Sequence, residues 1–341
     1  MECQPLDQVL QQIFPYIAPS IKQVLLGLNP FLTRKIEEIR LRVEKPLAIW
    51  AESREILLNV HGVSVNTPSE SYVVNKQDVL RTLELLTQGS LYAWEQELKY
   101  GYITIAGGHR VGLSGEVITE RGLVKALKYI TGLNIRLARE VKGCSAHIIP
   151  FLYSRLVGRF YHSLLVSPPR CGKTTILRDL IRTISNGMPE LGIPGVNVGL
   201  VDERSEVAGS YFGVPQKDVG LRTDVLDRCP KAQGMMMMVR SMSPQVIATD
   251  EIGSAEDVEA IAEVMNAGTT LIATAHGSSI HELERRPALG SLLEHGAFER
   301  IVILSRAAGP GTLEEIIDGI SRRPIYRRIN RDVRGVNTFG H

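Results

Sequence analysis

Cysteine is scarce in this chain of 341 residues: Cys3, Cys144, Cys171 and Cys229 are scattered, with no C-x-x-C pair and no short-range framework. That scatter excludes a disulfide-built scaffold, makes a zinc site unexpected and points to a reducing compartment. Long apolar runs are missing too, since no stretch reaches the 18 consecutive apolar residues of a membrane span. Neither sign of charge is in excess. Lysine plus arginine number 39 against 37 aspartates and glutamates, a formal charge of +2, too balanced for a protein that coats nucleic acid. Residues 1–31 lack the basic head and unbroken apolar stretch of a signal peptide, because Glu2 and Asp7 come early and Gln11, Gln12, Pro15, Pro19 and Lys22 interrupt the apolar positions. The expectation is a cytoplasmic protein that touches a membrane only through partners. There is no internal repeat and no low-complexity tract.

What is present is an ordinary globular composition, 44% hydrophobic and 22% charged with 31 glycines and 17 prolines, at a length suited to two domains. The pattern changes along the chain. Residues 1–148 read as a smaller mixed α+β domain: strand candidates lie in Ile36–Trp50, at Ser71–Val74 and at Leu133–Ala138. Asn75 is placed to cap a helix from Lys76 to Thr87. Gly101–Ala106 and Arg110–Val117, joined through Gly107-Gly108, read as a hairpin. Residues 149–320 read instead as strand, loop, helix repeated, with strands at Ser163–Ser167, Val198–Asp202, Gln245–Asp250, Thr270–Ala275 and Arg300–Ser305. Such alternation predicts an α/β domain with a mostly parallel sheet covered on both faces. Residues 321–341 form a basic tail containing Arg322, Arg323, Arg327, Arg328, Arg331 and Arg334.

Ser167-Pro168-Pro169-Arg170-Cys171-Gly172-Lys173-Thr174 has the spacing of a phosphate-binding loop, with serine where the first glycine usually stands. A strand enters this loop and an amphipathic helix leaves it, with Ile176, Leu177, Leu180, Ile181 and Ile184 on one face and Gly187 past its end. Backbone N–H groups of the loop and the positive end of the helix dipole suit phosphate oxygens. The expectation is ATP held by residues 167–175, with Lys173 on the β- and γ-phosphates, Thr174 on magnesium and Thr175 on the α-phosphate.

Two acids, Asp250 and Glu251, close the apolar run Val246–Thr249. At a strand end they divide the labour of hydrolysis: Asp250 holds the magnesium shell and Glu251 orients the attacking water. Ser254, with Asp257 three residues on, already supplies the cap of the next helix. Asp202, Glu203 and Glu206 follow a neighbouring strand, and His276 ends a third, which makes His276 a candidate γ-phosphate sensor. Positive charge near that phosphate has three candidate sources, Arg110 and Arg136 from the first domain and Arg240 from the second. Met235–Met238 and Met242 read as the packing face of a helix.

The order of these motifs carries a resemblance. Ile36–Pro46, Gly107–Gly112, Asn134–Gly143, the phosphate loop, Val201–Glu206, Val239–Pro244, Asp250-Glu251 and His276 together resemble the secretion and pilus motor ATPases, and within them the ATPase branch of a bacterial sporulation channel. The resemblance implies an N-terminal domain followed by a RecA-like P-loop domain. It also implies a ring, usually a hexamer, that hydrolyses ATP with magnesium at a membrane-embedded channel, in the mother cell. Carried over by position, the acidic box falls on Asp202, Glu203 and Glu206, the catalytic glutamate on Glu251 and the histidine box on His276. Gly253 stands where the wider group carries arginine, and Arg204 where it carries proline. Two other readings stay open from the residues themselves: a nucleic-acid-dependent P-loop ATPase, and a protein that binds nucleotide as an assembly cofactor without turnover. The near-neutral charge and the lack of aromatics interleaved with the tail arginines weigh against specific nucleic-acid binding.

Overall fold

The computed structural model describes residues 7–90, 94, 97–98 and 101–328. The chain divides into two compact units, residues 1–140 with 209–217, and residues 141–208 with 218–341. The sequence reading drew the junction a few residues later, at 148/149, and did not separate 209–217 from its flanks.

The N-terminal unit is built on a seven-stranded antiparallel sheet. Its strands are β1 (Ile36–Arg42), β2 (Ala48–Ala51), β3 (Arg54–Leu58), β4 (Ser64–Val65), β5 (Tyr102–Ile105), β6 (His109–Glu120) and β7 (Leu123–Arg136), in the order β4-β3-β2-β1-β7-β6-β5. Alternation sends Ile39 and Leu41 of β1, and a register shift between Ile36 and Glu38 sends Ile36, into a core shared with Leu10 and Ile13 of α1 (Gln8–Ile13), Ile21 and Leu25 of α2 (Pro19–Leu26), and Val79, Leu83 and Leu86 of α3 (Lys76–Leu86). Asn75 and Asp78 form a capping box at the start of α3, as its sequence indicates. The hairpin after Tyr102 is present but far longer on its second turn than expected. Pairing of β6 with β7 continues to Glu120 and Leu123, and Val117, Ile118 and Val124 on its distal half are exposed. Because these side chains are exposed, no burial pattern marked the distal half of the two strands.

His109 opens β6 fully buried. Its Nδ1 accepts from the Ala138 N–H at 3.1 Å and its Nε2 lies 2.9 Å from Gln12 Oε1. The proton therefore sits on Nε2. Burial, then the charges of Lys217 and Arg139, push its pKa down from 6.5 to about 4. Between those two values the unfolded chain binds the extra proton, so the stability given by the neutral ring is complete above pH 6.5 and is lost as pH falls toward 4. The loss at pH 4 is expected to be about 3 kcal/mol. His109→Gln should flatten this dependence. Both tryptophans of the chain, Trp50 and Trp94, lie in this unit, so urea titrations followed by tryptophan fluorescence at pH 4.5 and 7 measure it directly; an unchanged pH response in the variant refutes the assignment.

The second unit carries an eight-stranded sheet: β8 (Ser163–Ser167), β9 (Val198–Asp202), β10 (Thr223–Asp227), β11 (Val246–Thr249), β12 (Thr270–His276), β13 (Arg300–Ser305), β14 (Thr312–Asp318) and β15 (Pro324–Arg327), in the order β10-β9-β11-β12-β8-β13-β14-β15. The six strands from β10 to β13 run parallel, and β14 and β15 add an antiparallel edge. All five strands expected here form, and the mostly parallel sheet is confirmed. Successive residues of one strand serve opposite faces. Leu165, Leu200 and Ala248 meet Ile176, Leu177, Leu180 and Ile184 of α4 (Lys173–Asn186), whereas Leu164, Val201 and Ile247 meet Met235 and Met238 of α5 (Lys231–Ser241) and Ile261 and Val264 of α6 (Ala255–Asn266). Each such fully buried aliphatic side chain contributes about 2 kcal/mol.

The sheet extends past residue 320, where the sequence reading ended the domain. Pro324–Arg327 pairs with β14, Arg327 meets Glu315 at 2.7 Å and Arg328 meets Glu314 at 3.1 Å. Arg331 and Arg334 lie outside the described residues. The methionine run also divides: Met235 and Met238 are buried, while Met237 is 51% exposed. No helix among the described residues is long and apolar enough to cross a membrane.

Candidate active site

The phosphate loop leaves β8 at Ser167, whose φ is not positive, so the missing first glycine is not required there. Arg170 (φ 58°) and Gly172 (φ 81°) then turn the chain into α4. At Gly172 a Cβ would crowd Gly311 N at 3.0 Å, and the left-handed backbone itself favours glycine. No side chain caps α4, whose first residue is Lys173. Its first-turn N–H groups and dipole thus face the loop, an arrangement that fits a polyphosphate. Cys171 is buried, and its carbonyl accepts from Gly311 N at 2.7 Å, bracing the loop from below. Pro168 and Pro169 complete the turn.

Buried hydrogen bonds fix α4 itself. Asp179 accepts from Gly143 N at 2.9 Å, from Ser145 N at 2.8 Å and Oγ at 2.7 Å, and from Arg182 at 2.7 Å. Burial pushes its carboxyl up, but these donors outweigh burial and leave it below its ordinary value. Arg178, one residue earlier, donates to the carbonyls of Glu206 and Val207. The helix behind the phosphate loop therefore also holds the acidic turn.

Lys173 and Thr174 meet the two acids at the end of β11. Lys173, 7% exposed, places Nζ 3.3 Å from Glu251 Oε1. Thr174 Oγ1 donates to Asp250 Oδ2 at 2.8 Å. This hydroxyl–carboxylate pair is the one suited to hold a magnesium ion, one oxygen from the first turn of α4 and one from the end of β11. Thr175 follows on the same first turn. Glu251 adopts φ 55°, a left-handed backbone that a non-glycine residue holds only when its surroundings over-determine it. Thr274 supplies that constraint: its hydroxyl accepts from Glu251 N at 2.8 Å and donates to Asp250 Oδ1. No role was read for Thr274 in the sequence, although a threonine in the buried run Thr270–Ala275 was the available signal. Burial raises the Glu251 carboxyl, yet Lys173, Arg204 and His276 together hold it below the usual range.

The second acidic cluster turns over β9. Asp202 accepts three N–H groups, from Glu206 at 2.9 Å, Val207 at 3.0 Å and Ala208 at 2.8 Å. Burial nevertheless dominates and pushes its pKa up to about 6. Asp202 thus organises a turn. Glu203 pairs with Lys231 at 2.6 Å, and Arg204, the residue that departs from the wider pattern, reaches Glu251 Oε2 at 3.0 Å. A space of about 10 Å³, the size of one water, is bounded by Asp202, Glu203, Glu206, Lys231, Asp250 and Glu251. His276 Nδ1 donates to the Ser167 carbonyl at 3.1 Å, which joins the histidine to the base of the phosphate loop.

Two of the three sequence-selected arginines belong to the N-terminal unit and one to the second. Arg110 and Arg136 are cross-strand neighbours in the N-terminal unit; one stacks 3.5 Å over the Tyr102 ring and the other pairs with Glu38 at 3.2 Å. Arg240 is exposed on the outer stripe of α5, with no hydrogen bond or ion pair among the described residues.

Sheet order, phosphate loop and strand-end acids define the fold of a P-loop ATPase of the secretion-motor type. Solved structures share it: the DotB ATPase of Yersinia pseudotuberculosis superposes with a TM-score of 0.54 at 15% identity, covering 90% of this chain and 81% of that one. The DotB ATPase of Legionella pneumophila gives 0.52 at 14%, covering 78% and 71%. The chain belongs to the sporulation stage III protein AA family, whose model matches residues 7–323. It is 44% identical over 309 residues to stage III sporulation protein AA of Bacillus subtilis (strain 168), spanning 91% of this chain and 95% of that protein.

Proposed function

We propose that the protein is an ATP-hydrolysing motor that works as a ring, in the form of a hexamer, and energises or gates a membrane-embedded sporulation channel. It would stand on the cytoplasmic, mother-cell side and reach the membrane through its partners. The observation that carries this reading is the meeting of Lys173 and Thr174 with Asp250 and Glu251 at the carboxyl ends of two parallel strands. In this reading Lys173 and the first-turn N–H groups of α4 bind the phosphates. Thr174 and Asp250 hold magnesium, which neutralises charge on the phosphate oxygens when bound. Glu251, held ionised, orients the attacking water and accepts its proton. Glu203 keeps Lys231 in place beside it, and His276 senses the phosphate end from the floor of the loop. Arg110, Arg136 and Arg240 are the proposed suppliers of further positive charge in the assembled ring.

Phosphate release should require magnesium and ATP, rise faster than linearly with protein concentration as the ring forms, and ignore single-stranded DNA. Strictly constant specific activity over a hundredfold range of protein concentration would count against the ring. DNA-stimulated turnover would favour the nucleic-acid-dependent reading instead, and nucleotide binding without turnover would favour an assembly cofactor.

A further inference from the structure

The strand that ends in Asp250–Glu251 is bracketed by α5 before it and α6 after it. On their outer side these helices enclose a groove of about 1030 Å³. Met236 and Met237 of α5 give it an apolar floor, and Glu256, Glu259 and Glu263, one face of α6, give it an acidic wall. Arg240 stands at the end of the α5 stripe. All three glutamates are exposed, and none forms an ion pair among the described residues. Three carboxylates against one guanidinium leave the groove with an excess of two negative charges.

We propose that this groove docks a cationic amphipathic helix of a partner protein. Both walls are helices whose backbone bonds are internal, so an extended strand finds no edge to pair with. The acidic wall repels the headgroups of anionic lipid and the phosphates of nucleic acid. A helix with apolar residues toward the methionines and lysines or arginines toward α6 satisfies both halves of the surface. The methionine side chains adapt to it without a preformed pocket. The 11 residues of α5 run about 16 Å, enough to seat roughly three turns of such a helix. Because the groove lies outside the phosphate site, the proposal does not depend on hydrolysis.

The test uses the full chain and a fluorescent 18-residue leucine/lysine helix, followed by anisotropy. The wild-type chain should bind this probe. Met237→Asp, and separately Glu259→Lys with Glu263→Lys, should each weaken binding about tenfold or more, and the paired charge reversal should also remove most of its salt dependence. A leucine/glutamate helix should not bind. These positions are exposed, so affinity for a labelled ATP analogue should match the wild type and certify the fold. Equal binding by both variants, equal binding of the glutamate helix, or no binding to the wild type up to about 100 μM overturns the proposal. Recruitment to phosphatidylglycerol vesicles that Met237→Asp abolishes would also overturn it, by assigning the groove to a lipid surface.

Discussion

Lys173→Ala is expected to weaken nucleotide binding by a hundredfold or more. Lys173 Nζ is almost wholly buried and its cation balances Glu251 in the same site. Its removal deletes the ground-state contact to the phosphates. It also leaves the Glu251 carboxylate facing them with the exposed Arg204 and with His276 as its remaining favourable charges. A hydrogen bond between charged partners is worth about 1.5–3 kcal/mol, and the less compensated carboxylate adds repulsion to that loss, which together exceed the roughly 2.7 kcal/mol that a hundredfold requires. Titration with a fluorescent nucleotide measures the effect. An affinity within about threefold of the wild type would show that Lys173 makes no ground-state contact with the phosphates.

Glu251→Gln separates binding from chemistry. The amide keeps the side-chain volume and leaves the backbone pinned by Thr274, but it accepts no proton at neutral pH. A catalytic carboxylate of this kind contributes about 10²–10⁴ in rate, so single-turnover phosphate release should fall by that factor while affinity for ATP stays the same or tightens. Tightening is expected because a negative charge beside the γ-phosphate has been removed. Equal hydrolysis by variant and wild type would transfer the role of base to another acid; Glu203, bound to Lys231, would be next to test.

The legible parts of this chain were those where chemistry or burial restricts residue type at fixed spacing. Gly172-Lys173-Thr174 had to follow a buried strand and open a helix, and Asp250-Glu251 had to close one, so both could be read without a structure. The five central strands were equally plain because each has a buried apolar centre. Edge elements were not. Thr223–Asp227 has no fully buried residue, Thr312–Asp318 interrupts its buried Leu313, Ile316 and Ile317 with acids, and Pro324–Arg327 is exposed throughout, so pairing with neighbouring backbones rather than an apolar run makes them strands. Within the site, the pairing of Arg204 with Glu251 joins residues 47 positions apart, a proximity that strand order creates and spacing does not encode. The methionine run misled for a related reason: helical periodicity turns two of four consecutive residues outward whatever their hydropathy.

The excursion of residues 209–217 into the N-terminal unit sets an order for synthesis. There Gln216 accepts from Gly107 N at 3.0 Å, Lys217 donates to the Ala138 carbonyl at 2.9 Å, and Tyr211 stacks on Trp94. A nascent chain that has emerged only to residue 140 still lacks all three, although its sheet strands are complete. Its completion waits until the ribosome has also delivered the phosphate loop, α4 and the acidic turn, so the first unit closes only after about a third of the chain that belongs to the second has emerged.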